Sequence, residues 1–370
     1  MKRWQESSTE KRQQQNQRQN QQQNLRINDT LHHRRWITLA AVLALLTMLA
    51  ALLSLSLGIV QLTPMQVLRI LGSGERDSLE ARILFYSRLP RTLGCLLCGA
   101  ALAMSGAVIQ SVLRNPLAAP NVIGVNAGAG FAAALCCALF PYSPTVVPAA
   151  AFLGALGGVL LVLAIGEKTG ASRLTLILSG IAVSAMFTGG IDLVITLAPD
   201  ALTGYTDFRV GTFSSVTMAR VQPAAAVILP AAVLVCLMAR SAEILSLGDD
   251  TARSLGLRIR PVRILLLAAA AALTGAAVTI AGLIGFVGLL VPHTVRGVTK
   301  GELFPLFLCS ALGGACFITI CDLASRTLFL PYEIPVGIIL SLLGGPFFLW
   351  LILGTGHDRL RKGGHRHAGM

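Results

Sequence analysis

Charge is what this sequence has least of. Asp, Glu, Lys and Arg make up 13% of its 370 residues, about half the ~25% of a soluble domain. With 54% hydrophobic residues and a mean hydropathy of +0.71, an ordinary soluble core is excluded. Motifs of enzyme chemistry are also missing. There is no GxxxxGK[ST] stretch, so the chain binds no ATP through a P-loop. Cys95-Leu-Leu-Cys98 has redox or zinc spacing but lacks a second ligand pair and polar surroundings. All eight cysteines (95, 98, 136, 137, 236, 309, 316 and 321) fall in apolar runs and read as small hydrophobic filler. The net charge of +13 comes without the interleaved aromatics of a nucleic-acid platform, which excludes nucleic acid as a partner. The glycine run from Gly124 through Gly128 to Gly130 follows no strand. Like Gly99, Ala103 and Gly106, it reads as a helix contact rather than a phosphate cradle. No catalytic residue, metal site or cofactor of its own is expected.

What the sequence does have is apolar runs of bilayer length, about 20 residues each. The fold expected is an all-α polytopic membrane protein. Ten spans are expected near residues 36–57, 89–110, 121–140, 146–166, 173–197, 221–240, 263–282, 284–296, 303–325 and 335–354. The eighth is short and bounded by Gly and Pro, which places it inside the protein, because broken helices at membrane depth need cover. Residues 1–35 form a Gln-rich basic tail with no apolar periodicity, expected to be disordered. The apolar body is 36–356, and 357–370 form a second basic tail. The first apolar run is too long for a signal peptide and lacks a clear cleavage site, so it is expected to stay as a span.

Counting basic residues sets the orientation. With the N-terminus inside, 22 of the 30 Lys and Arg fall on cytoplasmic pieces, which puts both termini in the cytoplasm of a multi-pass protein. The longest outside loop, 58–88, contains an amphipathic stretch, PMQVLRILG, suited to a surface helix. A partner arriving from outside is expected to dock there.

Five features carry polar chemistry. The first is an island at 245–263, LSLGDDTARSLGLRIRPVR, between two apolar runs. Asp249 suits a helix cap, and Gly256 suits the left-handed position after the helix. A helix of about two turns is unstable alone, so this one must lie against its own chain or a partner. Ala252 and Leu255 are its expected contact face. The second is Arg88-Leu-Pro-Arg91 at the outer end of the second span, where Pro90 fits a first turn. Two exposed arginines there suit carboxylates of a partner better than simple snorkelling does. The third is the proline-bracketed turn Gln110, Arg114, Asn115 and Pro116 at the other end of the same span, suited to a gate. The fourth is a pair of carboxylates at membrane depth, Asp192 and Asp322, each costing about 2.5–3.5 kcal/mol at a helix centre. Arg326, four residues after Asp322, can offset that cost or present charge at the outer surface. The fifth is His293, read as a hydrogen-bonded end-cap, whereas His357, His365 and His367 read as a solvated tail.

The stretches RLPRTLGCLLCGAALAMSGAVIQSVLRNPLAAPNVIGVNAGAG, LGDDTARSLGL, AGLIGFVGLLVPHTVR and EIPVGIILSLLGGPFFLWLI stand in this order. Together they resemble the FecCD family, permease subunits of bacterial ABC importers for iron-siderophores, haem and vitamin B12. The resemblance implies a type II importer permease in the bacterial cytoplasmic membrane. It implies a homodimer, in contact with membrane lipid, with two ATPase subunits below and one substrate-binding protein above. ATP and Mg would sit on the ATPase. It implies that Leu247, Gly248, Asp249, Asp250, Thr251, Ala252, Arg253, Leu255 and Gly256 form the segment coupled to the ATPase. It also implies that Arg88, Arg91 and, after DLAS, Arg326 meet glutamates of the binding protein. Phe208-Arg209-Val210-Gly211-Thr212-Phe213 departs from the family's pattern, and so does the Gln-rich tail. Two other classes stand beside this reading: a secondary transporter driven by protons through Asp192 and Asp322, and a membrane scaffold.

Overall fold

A backbone at membrane depth has no water to pair with, so its N–H and C=O groups must pair along the chain, and apolar runs fold as helices. The computed structural model describes residues 35–364 except 59, 74–76, 141–145, 170–172, 300 and 330. Residues 1–34, and with them nearly all of the Gln-rich tail, lie outside the described residues. Among those described there is no strand.

The helices are α1 Arg35–Ser56, α2 Pro64–Ser73, α3 Leu79–Leu113, α4 Val125–Leu139 and α5 Val146–Lys168. They continue as α6 Arg173–Leu197, α7 Ala201–Val210, α8 Met218–Leu237, α9 Ala239–Leu247 and α10 Asp249–Ser254. The last four are α11 Ile259–Ala281, α12 Val287–Thr299, α13 Leu303–Thr327 and α14 Val336–Gly364. Seven (α1, α3, α5, α6, α8, α11 and α13) are long and apolar enough to cross a membrane. The three other expected spans correspond to shorter pieces. These are α4 with 15 residues, α12 with 13 residues and Pro292 inside, and the apolar stretch Val336–Leu351 of α14. Helix α14 continues past the expected boundary at 354.

The second expected span needs correction. Its helix begins ten residues before position 89 and runs as one 35-residue rod. A π-helical turn at Leu84–Arg88, closed by Leu89 N–H on Leu84 C=O, precedes Pro90. The wider turn lets the rod continue past a residue that can donate no hydrogen bond. Pro90 is therefore in the first turn of the α-helical part, Leu89–Leu113, as expected, although the rod itself starts ten residues earlier.

Helix α3 is the central rod, packed on α11, α12 and α13. It runs antiparallel to α13, with Arg91 beside Asp322 at one end and Gly99 beside Gly314 further in. A Cβ on Gly99 would stand 2.1 Å from the Gly314 carbonyl oxygen, and one on Gly106 1.9 Å from that of Gly288. These helices touch backbone to backbone, as small-residue contacts in membranes allow, so Gly99 and Gly106 act as expected. Ser105 adds a buried link to α11, donating to Ala270 C=O at 2.8 Å and accepting from Thr274 at 2.7 Å. By contrast, little of α1, α6 or α8 is buried. Leu178, Ile181, Met186 and Leu193 of α6 and Leu342, Leu343 and Leu349 of α14 stand exposed.

Helix α2 is the expected surface helix. Thr63 and Gln66 cap it reciprocally, and Val67 and Ile70 pack under it on Leu62, Ala81 and Leu84. The stretch that departs from the family pattern is well packed here. Phe208 C=O accepts from Leu283 N–H, Thr212 N–H donates to Ala281 C=O, and Phe213 is fully buried, while Arg209 stays exposed.

Candidate functional site

Three clusters bring together residues that carry polar chemistry, two of them at one end of α3 and one at the other.

At the Arg88 end, one carboxylate pairs with two arginines, and a third arginine stands beside them on backbone carbonyls. Arg91 Nε lies 3.1 Å from each Asp322 oxygen and Nη2 lies 3.0 Å from Oδ1, while Nη1 reaches Glu333 Oε2 at 2.9 Å. Arg326 Nε is 3.6 Å from Asp322 Oδ2, an ion pair too long for a hydrogen bond. Its Nη2 donates to Ser54 C=O and Ser54 Oγ, both at 2.7 Å. Arg88 donates to the carbonyls of Leu55 and Ser56 at 2.7 Å and to that of Val60. The last carbonyls of α1, orphaned by the end of the helix, are thus met by two cations, which also suits the dipole.

The expected exposure of these arginines is therefore corrected. Arg88 is 4% exposed, Arg326 5% and the Arg91 side chain 11%. Glu333, at 36%, is the open edge of the cluster. Asp322 is fully buried and held between two guanidiniums, which favours the structural pairing for Arg326. Asp192 is exposed on α6.

At the opposite end, α3 stops because Arg114 takes a left-handed conformation, φ 50°, as its C-cap. Asn115 N–H returns to Gln110 C=O, and Leu117 N–H donates to Asn115 Oδ1. Pro116 is exposed. Gln110 is buried and bridges to α12, its Nε2 donating to Gly288 C=O at 3.0 Å and its Oε1 accepting from Arg296 at 3.3 Å. The turn expected to be a gate is thereby tied to the short interior helix. Just before α12, Phe286 has φ 66°, the other non-glycine residue at positive φ among the described residues. Such a bulky residue there is held by its surroundings. His293 packs edge-on to Phe347 at 6.1 Å. Its Nδ1 is buried without a hydrogen-bond partner among the described residues, so it is not the expected end-cap.

The third cluster is the polar island. Helix α10 forms as expected, but Gly248 is its N-cap and no side chain caps it. Asp249 sits one position later and binds Arg263 of α11 at 2.8 and 2.9 Å. The helix ends in a double closure, Leu257 N–H to Ala252 C=O and Gly256 N–H to Arg253 C=O, both 3.0 Å, with Gly256 at φ 80°. Burial splits the expected contact face. Ala252 is fully buried in its own chain, whereas Leu255 is 60% and Leu247 56% exposed. Asp250, Thr251 and Arg253 are exposed with them. Ala252 faces inward because a short helix must bury one side to persist. Arg114 touches this cluster too: a Cβ on Gly248 would stand 3.1 Å from its Nη1.

Asp322, Glu333, Arg263 and Arg296 complete these clusters, yet no sequence spacing links them to Arg91, Asp249 or Gln110. Only the four-residue step from Asp322 to Arg326 is visible. All eight cysteines are free thiols. No group of three or more His, Cys, Asp or Glu side chains able to hold a metal occurs among the described residues. His357 and the last two histidines lie outside the described side chains.

Comparison with known proteins places this architecture. The chain is 35% identical over 321 residues to the hemin transport system permease protein HmuU of Yersinia pestis, covering 84% of this chain and 94% of that one. It is 36% identical over 312 residues to the Fe(3+)-citrate import system permease protein YfmE of Bacillus subtilis, covering 84% and 93%. A solved structure named as an inward-facing conformation of a metal-chelate type ABC transporter superposes with a TM-score of 0.77 at 29% identity. It covers 86% of this chain and 99% of that one. Residues 46–354 match the FecCD transport family. This chain is a membrane permease of the FecCD transport family, a transporter subunit and not an enzyme.

Proposed function

We propose that this chain forms the membrane pathway of an ATP-driven importer that moves an iron chelate, a ferric siderophore first, into the cell. The carrying observation is the family match over 46–354, joined by relatives named for ferric citrate, ferric hydroxamate and hemin. Haem or cobalamin are the alternative cargoes of the same machinery.

In this reading two ATPase subunits, which hold ATP and Mg, bind the polar island from the cytoplasm. The contact face is Leu247, Asp250, Thr251, Arg253 and Leu255, the exposed side of the island. A push on α10 has two routes inward. The Asp249–Arg263 ion pair leads to α11, and the Gly248–Arg114 contact leads to the turn that ends α3. From that turn Gln110 reaches α12. The basic count supports both termini inside.

The opposite end receives a substrate-binding protein. Arg91 is its natural anchor, because its Nη1 already holds the half-exposed carboxylate of Glu333, a contact that a partner's glutamate can take over. Arg88 and Arg326 hold the ground beneath. A second copy of the chain covers the exposed apolar faces of α6 and α14, and lipid covers the rest. Reconstitution with its ATPase and binding protein in vesicles, offered ferric siderophores, ferric citrate, haem and cobalamin, tests the assignment. Uptake of an iron chelate supports it; uptake of none of the four would sink it.

A further inference from the structure

We infer that the cleft between the ends of α5, α6 and α11 and the start of α10 binds an anionic phospholipid. Its phosphate would sit on an arginine rim and an acyl chain on an apolar floor. The cleft has a volume of about 630 Å3, inside the ~300–1,000 Å3 range of ligand sites. Its floor includes Leu163 and Leu176, both buried, and Ile264. Its rim carries Arg253, Arg258 and Arg260, all exposed, with Arg263 behind them.

Four guanidiniums line this cleft against two carboxylates, Glu167 and Asp249. Both carboxylates are already engaged, Glu167 with Arg260 at 2.8 Å and Asp249 with Arg263 at 2.8 Å. Arg253 is paired in turn with the exposed Asp250 at 3.8 Å, so one positive charge is left over, centred on Arg258, and guanidinium forks match phosphate oxygens. Helix α11 begins at Ile259 on the same rim, so the positive end of a 23-residue helix adds to it. A simple soluble anion has no use for the leucine floor. An amphiphile uses both, and basic pockets between membrane helices are where anionic head groups settle. The site adjoins Asp249 of α10, so a bound lipid would brace the coupling segment against α5 and α6.

The inference rests on the membrane placement proposed above but not on transport, and its readout is separate. The full-length chain, assembled with its ATPase subunits, is purified from membranes of mixed phosphatidylglycerol and phosphatidylethanolamine, and its retained lipid is identified by mass spectrometry. The expected result is phosphatidylglycerol enriched over the surrounding membrane. Replacing both Arg258 and Arg260 by Gln should lower that retention about fivefold or more. Glu167→Gln keeps every arginine and releases Arg260, so it should raise retention, and its direction decides even where the double variant fails to fold. No enrichment in the unaltered protein, or equal retention in all three, overturns the proposal. Loss of the ATPase subunits in the double variant with lipid retention unchanged also overturns it, and marks the cleft as a protein contact.

Discussion

Arg91 and Asp322, 231 residues apart, form a two-pronged ion pair between α3 and α13, with all three contacts between 3.0 and 3.1 Å. Arg326 approaches the same carboxylate from its own helix. One fully buried acid is therefore shared by two largely buried guanidiniums, with Glu333 a second partner for Arg91, and Arg326 also closes the end of α1.

Removing that acid leaves Arg326 without a carboxylate and Arg91 with the half-exposed Glu333 alone. Asp322→Ala should destabilise the folded protein by about 3–5 kcal/mol, the usual cost of breaking a buried pair on one side. Thermal unfolding in lipid nanodiscs measures it. An unchanged unfolding temperature would mean that the carboxylate does not hold this end together.

The backbone contact between α3 and α12 leaves no room for a methyl group. Gly106→Ala should cost about 1–3 kcal/mol through helix displacement. Gly157→Ala on α5, where nothing lies within 4 Å, should cost nothing. The pair is compared by unfolding under identical conditions, and equal behaviour would contradict the close approach.

Two substitutions separate the faces of α10. Leu255→Asp should leave the fold intact but lower ATP-dependent uptake per ATP hydrolysed, since it changes an exposed apolar contact. Ala252→Asp should instead lower stability, because it places a charge in a fully buried position. Normal coupling in Leu255→Asp would remove that side chain from the ATPase contact.

Glu333 is expected to compete with the binding protein for Arg91. Glu333→Gln should tighten docking, more so at low ionic strength, where exposed charges are least screened. Surface plasmon resonance across a salt series reads this. Weaker docking in the variant would make Glu333 itself part of the contact.

Much of this arrangement was legible in the residue order, and the exceptions have physical causes. Hydropathy located the helices because each run must pair its own backbone; α1, α6 and α13 start or end within about two residues of expectation. The capless α10 was harder. Asp249 looks like a cap in sequence, but Arg263 lies close enough in space to claim it. Arg88 and Arg91 read as rim residues because the start of an apolar run resembles a membrane boundary. The π-turn and the added helix from Leu79 carry that boundary outward, and the arginines become buried. Which side of a two-turn helix faces inward cannot be read from six residues, and here Ala252 took that side while Leu255 took the other.

The most direct measurement is uptake of a ferric chelate into vesicles that contain this chain, its ATPase and its binding protein, with all ion gradients collapsed. The account predicts uptake that requires ATP and stops when ATP is withheld. Uptake that continues without ATP or without the ATPase, driven by a restored proton gradient, would contradict it.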